Sequence, residues 1–206
     1  MGKGHAAVVV LAVMGSRIVA LKVRRMDSKR YSLEDECRLL ERASRIGIAP
    51  QVYACTRNVI AREFVDGPTL REYLRECMKR GDRDAVKRVI IELLRASWML
   101  DKVGIDLEEI ANPLDQVVVE CGDPCRPRFI DFESGKLRSA PNNFCKVLGF
   151  VVGRSVEGVK ISDLLGVSTC VEELRALARR YKESRSEDAV RRCIEVLEHG
   201  CGHSRG

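Results

Sequence analysis

Apolar and polar positions alternate through the first third of the chain. "AAVVVLAV" and "RIVALKV" are β-rich runs separated by "MGSR", which predicts a hairpin. In "SLEDECRLLERASRIG" the spacing changes: Leu33, Cys37, Leu40 and Ala43 recur as on one face of a helix. Ser32 is placed to cap that helix and Gly47 to stop it, although Asp35 is a weak partner for Ser32 in a capping box, where Glu or Gln is usual. "APQVYACTRNVIAREFV" predicts two more short strands, and "DGPT" interrupts the pattern.

From Leu70 the period turns helical. "LREYLRECMKRG" predicts one helix and Asp84 to about Val103 a longer one. A second hairpin follows, with "QVVVE" and "RFIDF" flanking the turn "CGDPCRP", and from about Asn142 the chain is again mostly helical. The pattern predicts a single α+β domain over residues 1–206. It has a β-rich N-terminal lobe with one helix (about 1–66) and a mostly helical C-terminal lobe (about 67–206).

Composition narrows the partners. The chain is 45% hydrophobic and 32% charged, which suits a globular fold with a full core. Thirty-six basic residues against thirty acidic ones leave a formal +6, mild enough to be a solvated surface yet suited to an anionic partner: nucleotide, RNA, ribonucleoprotein or an acidic protein. No apolar run approaches the roughly 18 residues of a membrane helix, and the opening apolar run lacks a small-residue cleavage site, so the expected location is the cytoplasm with no membrane partner. The nine cysteines are scattered singly and read as small buried hydrophobes. The exception, Cys121 and Cys125 of "CGDPC", reads as a hairpin turn with a cross-hairpin disulfide in preference to half a zinc site, since no second close pair follows.

Four features carry chemistry, in order. "GKGHAAVV" puts Gly2, Lys3 and Gly4 where glycines would let backbone N–H groups approach a phosphate. "VALK" sets Lys22 in an apolar strand, where a charge needs a partner. Glu36 lies in the next helix, with Glu34 as a competing choice. Asp131 of "FIDFE" ends an apolar run, as a carboxylate that holds a divalent cation would. Each is ambiguous alone. Together they match the parts list of phosphoryl transfer: a phosphate loop, a strand lysine, its helix glutamate and a metal carboxylate.

With these motifs, and with "LKVRRMDSKR", "DECRLLERASRIGIAPQVY", "EFVDGPTL" and "RYK", the chain resembles a protein-kinase-like fold of the atypical, RIO-like kind. More closely, it is similar to a small archaeal family described as predicted serine/threonine protein kinases. The resemblance covers almost the whole chain and implies a bilobal fold, ATP and Mg²⁺ as cofactors, and a protein hydroxyl as acceptor. It assigns Gly2, Lys3 and Gly4 to the nucleotide loop, Lys22 and Glu36 to the ion pair, Asp131 to the metal, and the stretch Glu63 to Val65 to the hinge beside the adenine. The chain departs from the pattern in "GIDLEEIANPLDQVVV", where no His-Arg-Asp loop appears. Gln116 or Asp115 falls where a second metal ligand belongs, and Glu109 or Asp106 is left as the base. Glu133 replaces the glycine that usually follows Asp-Phe, which predicts a less mobile turn, and no long activation segment separates Asp131 from the next helix.

Overall fold

The computed structural model describes residues 7–120, 122 and 125–201. Strands β1 (Ala7–Met14) and β2 (Arg17–Arg24) pair antiparallel in full register, from Ala7 opposite Arg24 to Met14 opposite Arg17. Gly15, at φ +63°, supplies the left-handed residue that so short a turn demands. Helix α1 (Glu34–Ser44) comes next, then β3 (Val52–Cys55) and β4 (Val59–Glu63), and the four strands form one antiparallel sheet in the order β1-β2-β4-β3. Helix α1 lies against β3 and turns Leu39, Leu40 and Ala43 into the core. Its start differs from expectation. Leu33, not Ser32, occupies the cap position, and the Ser32 hydroxyl accepts instead from the Glu34 N–H at 3.1 Å, so no capping box forms. Gly47, at φ +77°, lies in the turn that follows the helix.

The stretch Asp66–Thr69 leads into the helical part. Thr69 caps α2 (Leu70–Arg80) with a reciprocal Thr69–Glu72 capping box. Gly67 passes so close to the second hairpin that a Cβ there would stand 2.2 Å from the Val119 carbonyl oxygen. Helix α3 (Arg83–Lys102) is the central rod, packed on α2 and on the later helices α4 (Asn143–Gly153) and α7 (Glu187–His199). Between α3 and α4 the chain makes β5 (Ile105–Leu107), a 3-10 turn at Glu108–Ala111, the hairpin β6 (Val117–Glu120) and β7 (Arg126–Phe129), and β8 (Gly135–Leu137), which pairs with β5. The strand before Asp131 is shorter than "RFIDF" suggests: it ends at Phe129. After α4 come a two-residue ladder of β9 (Ser155–Val156) with β10 (Val159–Lys160), the single turn α5 (Ile161–Leu164) and α6 (Val171–Ser184) before α7.

The architecture is therefore α+β, with one antiparallel sheet ahead of a largely helical remainder. One hydrophobic core runs from Leu33, Leu40 and Ile60 beside the sheet through Phe129 and Phe132 to Phe144, Phe150 and Leu197 in the helices. A buried carboxylate, Asp101 at the end of α3, accepts from the Asn143 N–H (2.7 Å), the Asn143 side-chain amide (2.7 Å), the Phe144 N–H (3.1 Å) and the Tyr181 hydroxyl (2.9 Å). It thereby binds the start of α4, whose own side-chain cap is absent, to α3 and α6.

The cysteines are not all single hydrophobes. Cys37 pairs with Cys55 and Cys170 with Cys201, while Cys77, Cys125, Cys145 and Cys193 are free. Separations of 18 and 31 residues hide both pairs from a search for close spacing. The expected Cys121–Cys125 bridge involves Cys121, which lies outside the described residues. Among the described residues no helix is long and apolar enough to cross a membrane.

Candidate functional site

Strand β2 is interior to the sheet, with Lys22 opposite Val9 on one side and Ile60 on the other. A cation flanked by apolar residues is only 6% exposed here and must find its counter-charges locally. It has three. Lys22 Nζ lies 2.6 Å from Glu36 Oε1, 3.1 Å from Asp131 Oδ1 and 3.6 Å from Glu133 Oε2. Burial opposes the ammonium charge, but Asp131 and Glu36 outweigh it and raise the Lys22 pKa above the usual lysine value. Glu36, in the first turn of α1, is 4% exposed. Its second oxygen meets Arg30 Nη1 at 3.3 Å. Burial pushes the Glu36 carboxyl up, against the pull of Lys22 and Arg30.

Two further cations complete the cluster. Arg30 also donates to the Glu133 carbonyl. Arg62 of β4, opposite Ala20, is buried and donates to the Ile130 carbonyl, while its Nε has no partner. Its surroundings are tuned by Glu36 and Asp131, and burial lowers its pKa. Lys22, Arg30 and Arg62 thus face Glu36, Asp131 and Glu133. Sequence reading passed over both arginines. Arg62 carried the same signal as Lys22, a cation inside an apolar strand ("VIARE"); Arg30, in a polar loop, carried none.

Asp131 stands two residues beyond β7, where the Ile130 N–H donates to the Gln116 carbonyl at 2.9 Å. Its Oδ1 accepts both from Lys22 and from the Glu133 N–H at 3.0 Å, so the carboxylate is fixed by its own turn. The side chain remains 37% exposed and faces both the buried ammonium and solvent. Glu133 joins the cluster at three points: its N–H, carbonyl and carboxylate each bind a member of it.

The two candidate bases part company. Glu109, in the 3-10 turn, receives Gln116 Nε2 at 2.7 Å, and its N–H reaches Ser134 Oγ at 3.3 Å. Glu109 and Gln116 are therefore joined to each other and to the 130–134 loop that carries Asp131. Asp106, on β5, is buried between Lys146 (2.8 Å) and Arg138 (3.0 Å) and accepts from the Asn142 N–H at 3.3 Å. Burial works to raise its pKa, but Lys146, that N–H and Arg138 together hold it below the usual aspartate value. Asp115 is held at the surface by Arg71 through contacts of 2.8 and 2.6 Å, turned to α2 instead of to Asp131. Glu63 accepts from the Gln51 N–H (3.0 Å) and pairs with Arg128 (2.9 Å), and Val65 is buried behind it. Gly2, Lys3 and Gly4 lie outside the described residues.

Chemically, the arrangement sets an ammonium beside a part-exposed carboxylate, with the oxygens of Gln116 and Glu109 on the neighbouring turn. Carboxylate and amide oxygens are the donor set of a hard divalent cation, and a buried ammonium suits a phosphate.

No protein-family model matches the chain. The chain is similar to an uncharacterized protein of Methanocaldococcus jannaschii, at 24% identity over 123 residues, which cover 59% of this chain and 98% of that protein.

Proposed function

We propose that the chain is a bilobal, kinase-like phosphotransferase that moves the terminal phosphoryl group of Mg-ATP to a serine or threonine hydroxyl of a protein. The observation that carries this reading is the convergence on one buried ammonium of carboxylates from α1 and from the loop after β7. In this reading Lys22 binds the α- and β-phosphates, and Glu36 orients Lys22. Asp131, with Gln116, would hold Mg²⁺; when bound, the ion neutralises charge on the transferring phosphoryl group. Glu109 accepts the hydroxyl proton of the acceptor, and the backbone of the stretch Glu63 to Val65 recognises the adenine edge. Positioning and charge do most of the work in this chemistry, so an unusual base is tolerable.

A second reading is a nucleotide-binding module without turnover. It is favoured by the commitment of Asp106 to Lys146 and Arg138 and by the bond of Glu109 to Gln116. One experiment separates them: incubate the purified protein with radiolabelled ATP and Mg²⁺, with protein, RNA and small hydroxyl acceptors in parallel. Label transfer that disappears in Asp131→Ala supports the transferase, and the labelled arm names the acceptor class. Nucleotide-induced thermal stabilisation with no product supports the binding module. Transfer undiminished in Asp131→Ala refutes the assignment of Asp131.

A further inference from the structure

Helix α1 is fastened to the sheet at one more point, away from the Lys22 chemistry. Cys37, the residue after Glu36, is bonded to Cys55 at the end of β3, with 6.4 Å between their Cα atoms. One turn along the helix from Cys37, Glu41 brings Oε1 to 3.9 Å from Cys37 Sγ. One ligand atom from each of Cys37, Glu41 and Cys55 lies within 4.8 Å of the other two. Among the described residues this is the one group of three or more such side chains so clustered.

We propose that, once the disulfide is reduced, Cys37, Glu41 and Cys55 form a site for one thiophilic divalent cation of the zinc class. Spacing, chemistry and topology each support it. Residues four apart on a helix project from one face, so Cys37 and Glu41 present their ligand atoms together. A zinc–sulfur distance of about 2.3 Å puts tetrahedral ligand atoms about 3.8 Å apart; Glu41 Oε1 already stands 3.9 Å from Cys37 Sγ, and reduction frees the two bonded sulfurs to separate to that distance. Reduction would otherwise leave two thiols beside a carboxylate. A cation neutralises that cluster and favours the thiolates. Three protein ligands leave the fourth position to water, which the exposed Glu41 side admits.

The chemistry balances. A dithiol reductant supplies two electrons and two protons, the S–S bond breaks to two thiols, and the reductant closes to its own disulfide. The cation then displaces the two thiol protons. Disulfide and metal are alternative clamps at one place, and each keeps α1, and so Glu36, seated on β3. The site does not depend on phosphoryl transfer, and neither does its test.

The probes are Co²⁺, followed by thiolate-to-metal charge-transfer absorption, and Zn²⁺, competed against a chromophoric chelator. Phosphine-reduced full-length protein should bind one equivalent and show the cobalt–thiolate band. Cys55→Ser and Cys37→Ser should each lose it, Glu41→Gln should bind more weakly, and Cys170→Ser should keep it. Diamide-oxidised protein should bind none. Zn²⁺ should raise the melting temperature of the reduced chain but not of reduced Cys55→Ser. If Cys37→Ser fails to fold, Cys55→Ser decides the matter. Absence of a bound equivalent in the reduced chain, or its persistence in Cys55→Ser, overturns the proposal.

Discussion

The Lys22 network should respond unequally to loss of its members. Distance alone does not separate the partners: at an effective dielectric of about 20, contacts of 2.6 and 3.1 Å correspond to attractions of about 6 and about 5 kcal/mol. Solvent separates them. The Glu36 side chain is almost wholly enclosed, whereas that of Asp131 opens to water. Lys22→Met therefore strands a buried carboxylate that keeps a 3.3 Å pair with Arg30 and a longer-range attraction to Arg62, and should cost about 3–5 kcal/mol. Asp131→Asn leaves Lys22 with Glu36 and Glu133 and removes a charge that water already shares, so it should cost less than about 1 kcal/mol. The double variant Lys22→Met/Glu36→Leu removes the stranded charge as well and should return to within about 1 kcal/mol of wild type. Urea unfolding followed by circular dichroism gives the midpoints. Equal losses in Lys22→Met and Asp131→Asn, or a double variant no better than Lys22→Met, would refute the argument. The same contrast makes Asp131→Asn the proper functional variant, since it should fold.

Two more outcomes follow. Gly67→Ala must push the Val119 carbonyl away or shift its own backbone, so it should lower the unfolding free energy by about 1–3 kcal/mol, read as a lower urea midpoint with little change in slope. The Asp106 carboxyl is held below its unfolded value of about 3.9, so the stability it contributes is present above that pH and is lost as pH falls through its lower folded pKa. Wild type should accordingly outlast Asp106→Asn near neutrality and lose that advantage in acid; a gap in unfolding free energy that stays constant from pH 7 to about pH 2 would contradict the shift.

Long periodic segments were legible in the sequence because their burial is periodic. The first hairpin, α1 and the five longer helices after Glu63 all follow from runs long enough to show a face. The strands β5, β8, β9 and β10 were not, since two or three residues cannot display alternation, and β5 and β8 exist only because each completes the other from a distant part of the chain. At the site, Lys22 betrayed itself by its apolar flanks, and the structure does bring Glu36 and Asp131 to it. Arg62 carried the same mark, but the strand that holds it was read only for its period. The difference in surroundings between Glu109 and Asp106 was beyond any spacing argument, because it depends on Lys146 and Arg138 reaching Asp106 from α4 and from the end of β8.

Asp101 has a consequence for how the chain comes apart. Its carboxylate holds backbone and side-chain donors from residues 143, 144 and 181, and Asn143 in turn holds the carbonyl of Ile105 and the N–H of Leu107. Peeling α6 away would break the Tyr181 bond, and freeing the start of α4 would leave a buried charge without its donors. The rear helices and the short β5 strand should therefore exchange their amide protons as one block and not fray singly. The Lys22 cluster is then carried on a base that yields all at once or not at all.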